Sequence, residues 1–353
     1  MMRFQTPRGS TAVAALTLGS ALAIAVTGTA AAASQPQTGP RAAYTQGQVS
    51  GADTYATALQ TNGNDLWTIG FDGAVHNWNA GLAAGTSPSI ASDGSAYEAA
   101  VQTNTGDLWT LSLVSGVHDW HTGLAAGTSP SITSLGNGAY ELAVQTNTGD
   151  LWTINTQSDE VHDWHTGMAA GTSPSITSLP DGSSEVAIQT NTGDLWTINT
   201  QSDEVDNWGA GMRSGTSPSI TSLGDDAYEV AIQTNTDDLW TLGPSTGVHD
   251  WHTGMAAGTS PSITSAVTGG SYEVAVQTNT YDLWTLSLVS GVHDWHTGLM
   301  VDSSPGIAAM SDGSYEIAVQ INTGDLWTIN TQTDYVDNWG AGMAWYTSPS
   351  ITG

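Results

Sequence analysis

YEAAVQTNTGDLWTL, residues 97 to 111, holds the pattern that decides the fold. Tyr97 to Gln102 alternates larger apolar residues with Glu, Ala and Gln, the period of a strand and not of a helix. Asn104-Thr105-Gly106-Asp107 supplies Asn and Gly where a tight hairpin needs positive φ, and Leu108-Trp109-Thr110-Leu111 resumes as a second strand. Further on, Val117-His118-Asp119-Trp120 reads as a third short strand. A Gly-rich turn from Thr122 to Gly127 leads to Ser129-Pro130-Ser131-Ile132, where Pro at a strand entry removes no ladder hydrogen bond. The whole pattern recurs. The triplet Asp-Leu-Trp begins at 65, 107, 150, 194, 238, 282 and 325, a second Trp follows 11 or 12 positions after the Trp of each triplet, and a Ser-Pro-(Ser/Gly)-Ile step recurs around Pro88, Pro130, Pro174, Pro218, Pro261, Pro305 and Pro349.

Four short strands per unit make one small antiparallel sheet, which cannot bury both of its faces alone. Stacking seven such units radially buries them, and closing the ring removes the two terminal interfaces. The chain is therefore expected to be all-β: a seven-bladed β-propeller of four-stranded antiparallel blades over residues 45–353. The first unit has only polar residues before Tyr55, whereas the chain runs out through Ser348-Pro349-Ser350-Ile351, a surplus copy of the fourth strand. That strand is expected to complete the first blade and close the ring. An open solenoid would need polar caps at both ends, and the units show none.

Composition narrows the partners. No Cys is present, which excludes disulfides, thiolate chemistry and Cys-ligated metal, and 15 Trp stand against 2 Phe. Arg3 and Arg8, an apolar run from Thr11 to Val26 and the small residues Thr29 to Ala33 read as a secretory signal over 1–33, followed by a flexible leader over 34–44. The released chain would be extracellular and would hold 33 acidic residues against Arg41 and Arg213. Nucleic acid and anionic membrane are poor partners for such a surface, because both are held chiefly by Lys and Arg. Neutral, hydroxyl-rich partners suit it better.

The proline-marked inner strand, the Tyr-Glu-Val-Ala-Val-Gln second strand, the Asp-Leu-Trp third strand and the outer strand ending in Trp-x-x-Gly resemble the blades of the fungal and bacterial propeller lectins. These include the fucose-binding type and the seven-bladed Photorhabdus type. The units also resemble tandem repeats appended to secreted actinobacterial proteins. Trp-x-x-Gly is present in all seven units, from Trp78 to Gly81 through Trp339 to Gly342. The resemblance implies sugar sites between adjacent blades built from an aromatic ring, a carboxylate and an Arg. No unit here has a recurring Arg, so a site in this chain must use acceptors, amides and indole.

The candidates for carbohydrate binding follow from recurrence. Glu98, Glu141, Glu185, Glu229, Glu273 and Glu316 occupy one equivalent position, with Ala56 in the first unit; each is read either as a sugar ligand or as a carboxylate bonded to backbone N–H groups of the neighbouring blade. The Asp-Leu-Trp Trp is expected to pack between blades. The outer series, Trp78, Trp120, Trp164, Trp208, Trp251, Trp295 and Trp339, is expected near the rim, where a ring can stack on a pyranose or serve as structure. His118, His162, His249 and His293 stand two residues before four of these Trp and could line the same sites. A second His follows each at a spacing of three, which on a regular strand sends the two rings to opposite faces, so chelation of one metal ion is not expected. Asp93-Gly94-Ser95, Asp181-Gly182-Ser183 and Asp312-Gly313-Ser314 are acidic turns without the run of oxygen ligands a calcium loop requires, and no cofactor is expected.

Repetition also bears on catalysis, which needs one asymmetric set of groups, whereas every plausible acid here recurs. A sialidase-like site would need an arginine cluster that this chain lacks. The sequence points to a secreted, multivalent, non-catalytic carbohydrate-binding protein. A protein-interaction or adhesion scaffold and a glycoside hydrolase with paired carboxylates are the alternatives.

Overall fold

The computed structural model describes residues 54–267 and 270–353. The signal and leader expected over 1–44 lie outside the described residues. Among the described residues, 28 strands form seven four-stranded sheets, and these are the blades of a propeller. Blade 2 shows the plan: inner strand Ser89–Ser92, second Tyr97–Gln102, third Asp107–Ser112 and outer Gly116–Gly123, hydrogen-bonded in that order. Blades 3 to 7 follow from inner strands that begin at Ser131, Ser175, Ser219, Ser262 and Gly306.

Blade 1 takes its inner strand from the far end of the chain. Ser350–Thr352 pairs antiparallel with Ala56–Gln60 in the register Ala56 to Thr352, Thr57 to Ile351 and Ala58 to Ser350. The surplus C-terminal strand is thus the latch of a closed ring.

Seven apolar clusters hold the blades, one at each interface. Between blades 5 and 6, Ala231, Leu239 and Met255 meet Ile263, Val274, Val276 and Leu286. The strand alternation explains this: in Tyr272–Gln277 the residues Val274 and Val276 face blade 5, whereas Ala275 packs with blade 7. Each second strand is covered on both sides, which is why its core residues are apolar at consecutive positions. The Asp-Leu-Trp Trp of one blade and the outer Trp of the preceding blade pack against the same cluster, as with Trp284 and Trp251.

The repeated Ser-Pro steps line the axis for a geometric reason. The N–H of Ser87 donates to Ser129 Oγ, and the pattern runs through Ser173, Ser217, Ser260, Ser304 and Ser348 back to Ser87, each bond 2.8 to 2.9 Å long. One serine per blade thus satisfies a backbone donor of the preceding blade. Replacing Ser260 with Ala leaves the Ser217 N–H without its acceptor, and a loss of about 1–2 kcal/mol is expected in a denaturant titration. An unchanged midpoint would show that this bond adds nothing.

The glycine of Trp-x-x-Gly marks a second seam. The Gly254 carbonyl accepts the N–H of Asn279 in the next blade (3.1 Å), and a Cβ on Gly254 would sit 2.8 Å from Asn279 Nδ2. The same relation recurs at Gly81, Gly123, Gly167, Gly211 and Gly298. Because strands alternate in direction, turns from second to third strand share one face of the disc with the loops between blades. This is called the upper face; the inner-to-second and third-to-outer turns form the lower face.

Candidate functional site

The predicted residues meet between blades at the lower face. In every blade the outer Trp indole N–H donates to the Thr that follows the Asp-Leu-Trp triplet, at 3.0 to 3.2 Å: Trp78 to Thr68, Trp120 to Thr110, Trp164 to Thr153, Trp208 to Thr197, Trp251 to Thr241, Trp295 to Thr285 and Trp339 to Thr328. At four interfaces that Thr hydroxyl also shares a hydrogen bond with a Tyr of the next blade: Tyr97, Tyr228, Tyr272 and Tyr55, at 2.8 to 3.1 Å. The outer Trp is therefore clamped at its N–H. Its ring packs on the inter-blade core, half-buried in six blades and buried at Trp339. A ligand at this ring can use its face or edge but not the N–H.

In five blades a histidine already covers part of that ring. His76, His118, His162, His249 and His293 lie with ring centroids 4.3 to 4.6 Å from the Trp two residues on. Blades 4 and 7 place Asp206 and Asp337 there instead. The second His of each pair behaves unlike a residue on a regular strand. His121, His165, His252 and His296 follow a break in strand register and adopt φ of 49° to 51°. Each ring stands exposed with Nδ1 3.2 Å from the Asp two residues back, whose Oδ1 accepts the His N–H. The other units carry Asn79, Gly209 and Gly340 at this positive-φ position, residues that tolerate it. The second histidine thus belongs to a bulged turn, away from the inter-blade cleft.

The glutamates are buried at 98, 185, 229, 273 and 316 and half-buried at 141. Side-chain hydroxyls and amides hydrogen-bond to them, rather than the backbone N–H groups considered above. Ser115, Thr246 and Ser290 donate to Glu98, Glu229 and Glu273 from the same blade, Ser184 of blade 4 donates to Glu141 at 2.6 Å, and Asn199 and Asn330 donate to Glu185 and Glu316 at 3.2 Å. Desolvation by burial outweighs these hydrogen bonds, and at Glu273 also the nearby His293; it pushes Glu141, Glu229 and Glu273 above the usual glutamate range and Glu185 up to about 7.

Cavities open at several interfaces. Between blades 6 and 7, Glu273, His293 and Trp295 converge with Tyr315 on a cleft of about 300 Å³, which unites all three predicted residue types. Between blades 4 and 5 a cleft of about 500 Å³ is lined by Glu185, Asn199, Asp206, Tyr228 and further carboxylates. The cleft between blades 1 and 2, about 380 Å³, is apolar: Phe71, His76, Tyr97, Leu113 and Val114 line it, and Ala56 replaces the glutamate. Arg213 is on the upper face, ion-paired to Asp237. The Asp-Gly-Ser turns close on themselves; Asp93 Oδ1 accepts the Ser95 and Ala96 N–H groups and the Ser95 hydroxyl, which lowers its carboxyl to about 2.

Two residue series were missed from the sequence. The Thr after Asp-Leu-Trp and the Tyr before Glu are as regular as the residues chosen, with Ser184 replacing the Tyr in blade 4. Their recurrence was the available signal.

No protein-family model and no curated protein matches the chain. Solved structures do. The SapL1 lectin in complex with alpha methyl fucoside matches with a TM-score of 0.56 at 12% identity, over 75% of this chain and 97% of that one. AofleA from Arthrobotrys oligospora matches at 0.51 and 13% identity, over 75% and 89% of the two chains. A mutant Aleuria aurantia lectin in complex with Fucα1-6GlcNAc matches at 0.51 and 9% identity, over 73% and 97%. At these identities the likeness is one of fold: the chain is a seven-bladed β-propeller whose structural neighbours include fucose-binding propeller lectins.

Proposed function

We propose that this protein is a secreted, non-catalytic, multivalent binder of neutral glycans that works through clefts between its blades. The observation that carries the reading is the convergence of Glu273, His293 and Trp295 of one blade with Tyr315 of the next around an open cleft. A pyranose there meets an aromatic edge and the exposed imidazole of His293 through its C–H groups, while the glutamate accepts from its hydroxyls. The lectin neighbours support the same direction. Without an arginine in the clefts, each site is weak, of about millimolar strength. Several on one rigid disc raise binding to a polymer or cell surface by roughly 10² to 10⁴ through effective concentration.

The cleft between blades 4 and 5 gives the hydrolase alternative its one foothold. Glu185, whose carboxyl burial raises to about 7, faces a cleft that also contains Asp206, so two carboxyl groups share one opening as paired-carboxylate glycoside hydrolysis requires. A glycan array probed with residues 34–353, repeated in the presence of free sugar, tests the binding reading. Competable binding to a set of related neutral glycans is expected. Binding to none, or binding that free sugar leaves unchanged, would favour the adhesion-scaffold alternative. Turnover of a chromogenic glycoside that Glu185→Gln abolishes would instead establish the hydrolase.

A further inference from the structure

On the upper face each blade hands the chain to the next through an eight-residue segment that starts at the last Gly of its outer strand, Gly81 to Pro88 in blade 1, and the seven segments are near copies. At their fourth and fifth positions stand Ala84-Gly85, Ala126-Gly127, Ala170-Gly171, Ser214-Gly215 and Ala257-Gly258. Two loops depart, with Val301-Asp302 and Trp345-Tyr346. The fifth position has positive φ throughout, 75° to 81° at the glycines, 60° at Asp302 and 63° at Tyr346. A bulky aromatic in that conformation is strained, and it stands where five sister loops carry the residue that relieves the strain. Burial does not explain it: Trp345 is 53% exposed and Tyr346 61%.

These loops lead directly into the Ser-Pro steps around the axis. Consecutive loops touch, since Asp302 Oδ1 lies 3.5 Å from the place a Cβ on Gly258 would occupy. The axial opening beneath has a volume of about 190 Å³ and a wall of Pro and Ser residues, with no carboxylate in it. Six wall serines, Ser89, Ser131, Ser175, Ser219, Ser262 and Ser350, each accept an Ile N–H from the following blade, at 3.2 to 3.3 Å. Each acceptor bond leaves the hydroxyl proton able to donate toward the opening. The seventh position is Gly306, on the inner strand of blade 7, the blade whose outgoing loop carries Trp345 and Tyr346.

We infer that the axial mouth on the upper face is a single-copy glycan site, separate from the repeated clefts, with Trp345 and Tyr346 as its stacking surface and the serine ring as its donors. A neutral sugar fits both parts, because its C–H face suits the rings and its oxygens accept from the hydroxyls. A cationic partner would find no carboxylate in the wall of the opening and only Asp302 in the loops that carry the site, and an anionic one is repelled by a chain of net charge −29. The inference rests on the reading that the chain binds neutral glycans at all.

Trp345→Ala and Tyr346→Gly restore residues that the sister loops already carry, so the double variant is expected to melt no lower than the parent. Binding of both proteins to laminarin, mannan, xylan and galactan would be measured by affinity electrophoresis together with thermal unfolding. The expected result is at least a tenfold loss of affinity for the polysaccharide that the parent binds, with the melting temperature held or raised. Equal affinity of the two proteins would overturn the axial site and leave the cleft reading standing. Failure of the parent to bind any of the four would overturn both for these glycans.

Discussion

A chain ending at Thr347 is expected to lose on the order of 6 kcal/mol of stability, a large part of what holds it folded. The truncation removes Ile351, which is buried in the cluster between blades 7 and 1, and burial of such a side chain contributes about 2–4 kcal/mol. It also removes the pairing of Ser350–Thr352 with Ala56–Ala58 and the hydrogen bonds that Ser348 and Ser350 make with Ser304, Ser87 and Ile90, each worth about 1 kcal/mol. Domains of this kind have only about 5–15 kcal/mol in total. A permuted chain that carries Ser348–Gly353 ahead of Tyr55, joined by a turn copied from Asp93–Ala96, keeps all 28 strands and is expected to fold. Circular dichroism and denaturant unfolding of the two proteins separate loss of the latch from loss of chain length. A truncated chain with the parent's unfolding midpoint would show that the ring does not need its closing strand.

Stability is expected to rise as the pH falls from 8 to 5, the reverse of a protein held by carboxylate ion pairs. The buried Glu185 has its carboxyl raised from 4.5 to about 7, so between these values the folded chain binds a proton that the unfolded chain has released. The contribution is fully present below pH 4.5 and is lost as the pH rises through 7. For Glu185 alone it is on the order of 3 kcal/mol. Glu141, Glu229 and Glu273 shift in the same direction by desolvation, and the net charge of −29 adds self-repulsion at high pH. Asp93, held near 2, titrates well below this window. Glu185→Gln keeps an acceptor for Asn199 and removes the charge, so it should stabilise the protein at pH 8 by about 1–3 kcal/mol and change little at pH 4.5. Destabilisation at pH 8 would mean that the carboxylate is favourably paired.

The architecture was legible because each marker serves an interface that recurs. Asp-Leu-Trp, Trp-x-x-Gly and Ser-Pro each bind one blade to the next, so their count is the blade count and the surplus Ser-Pro-Ser-Ile names the latch. The site was legible in part. The glutamate, first histidine and outer tryptophan do share the cleft between blades 6 and 7. Strand alternation could not reveal that His121 and its equivalents sit in a bulge, because the extra residue breaks the period of two. Nor could it show that the tryptophan N–H is engaged, since the partner Thr lies on a neighbouring strand 10 or 11 residues back. The axial mouth was visible only as residues that failed to repeat; the fold brings the Val301-Asp302 and Trp345-Tyr346 loops side by side.

Occupation of the clefts between blades by neutral sugars is tested most directly in crystals of residues 34–353 soaked with the strongest competitor from the glycan array. Sugar density against Glu273, Trp295 and Tyr315, repeated at other interfaces, is the predicted result. Density confined to lattice contacts, or clefts that stay empty at saturating sugar, would contradict it.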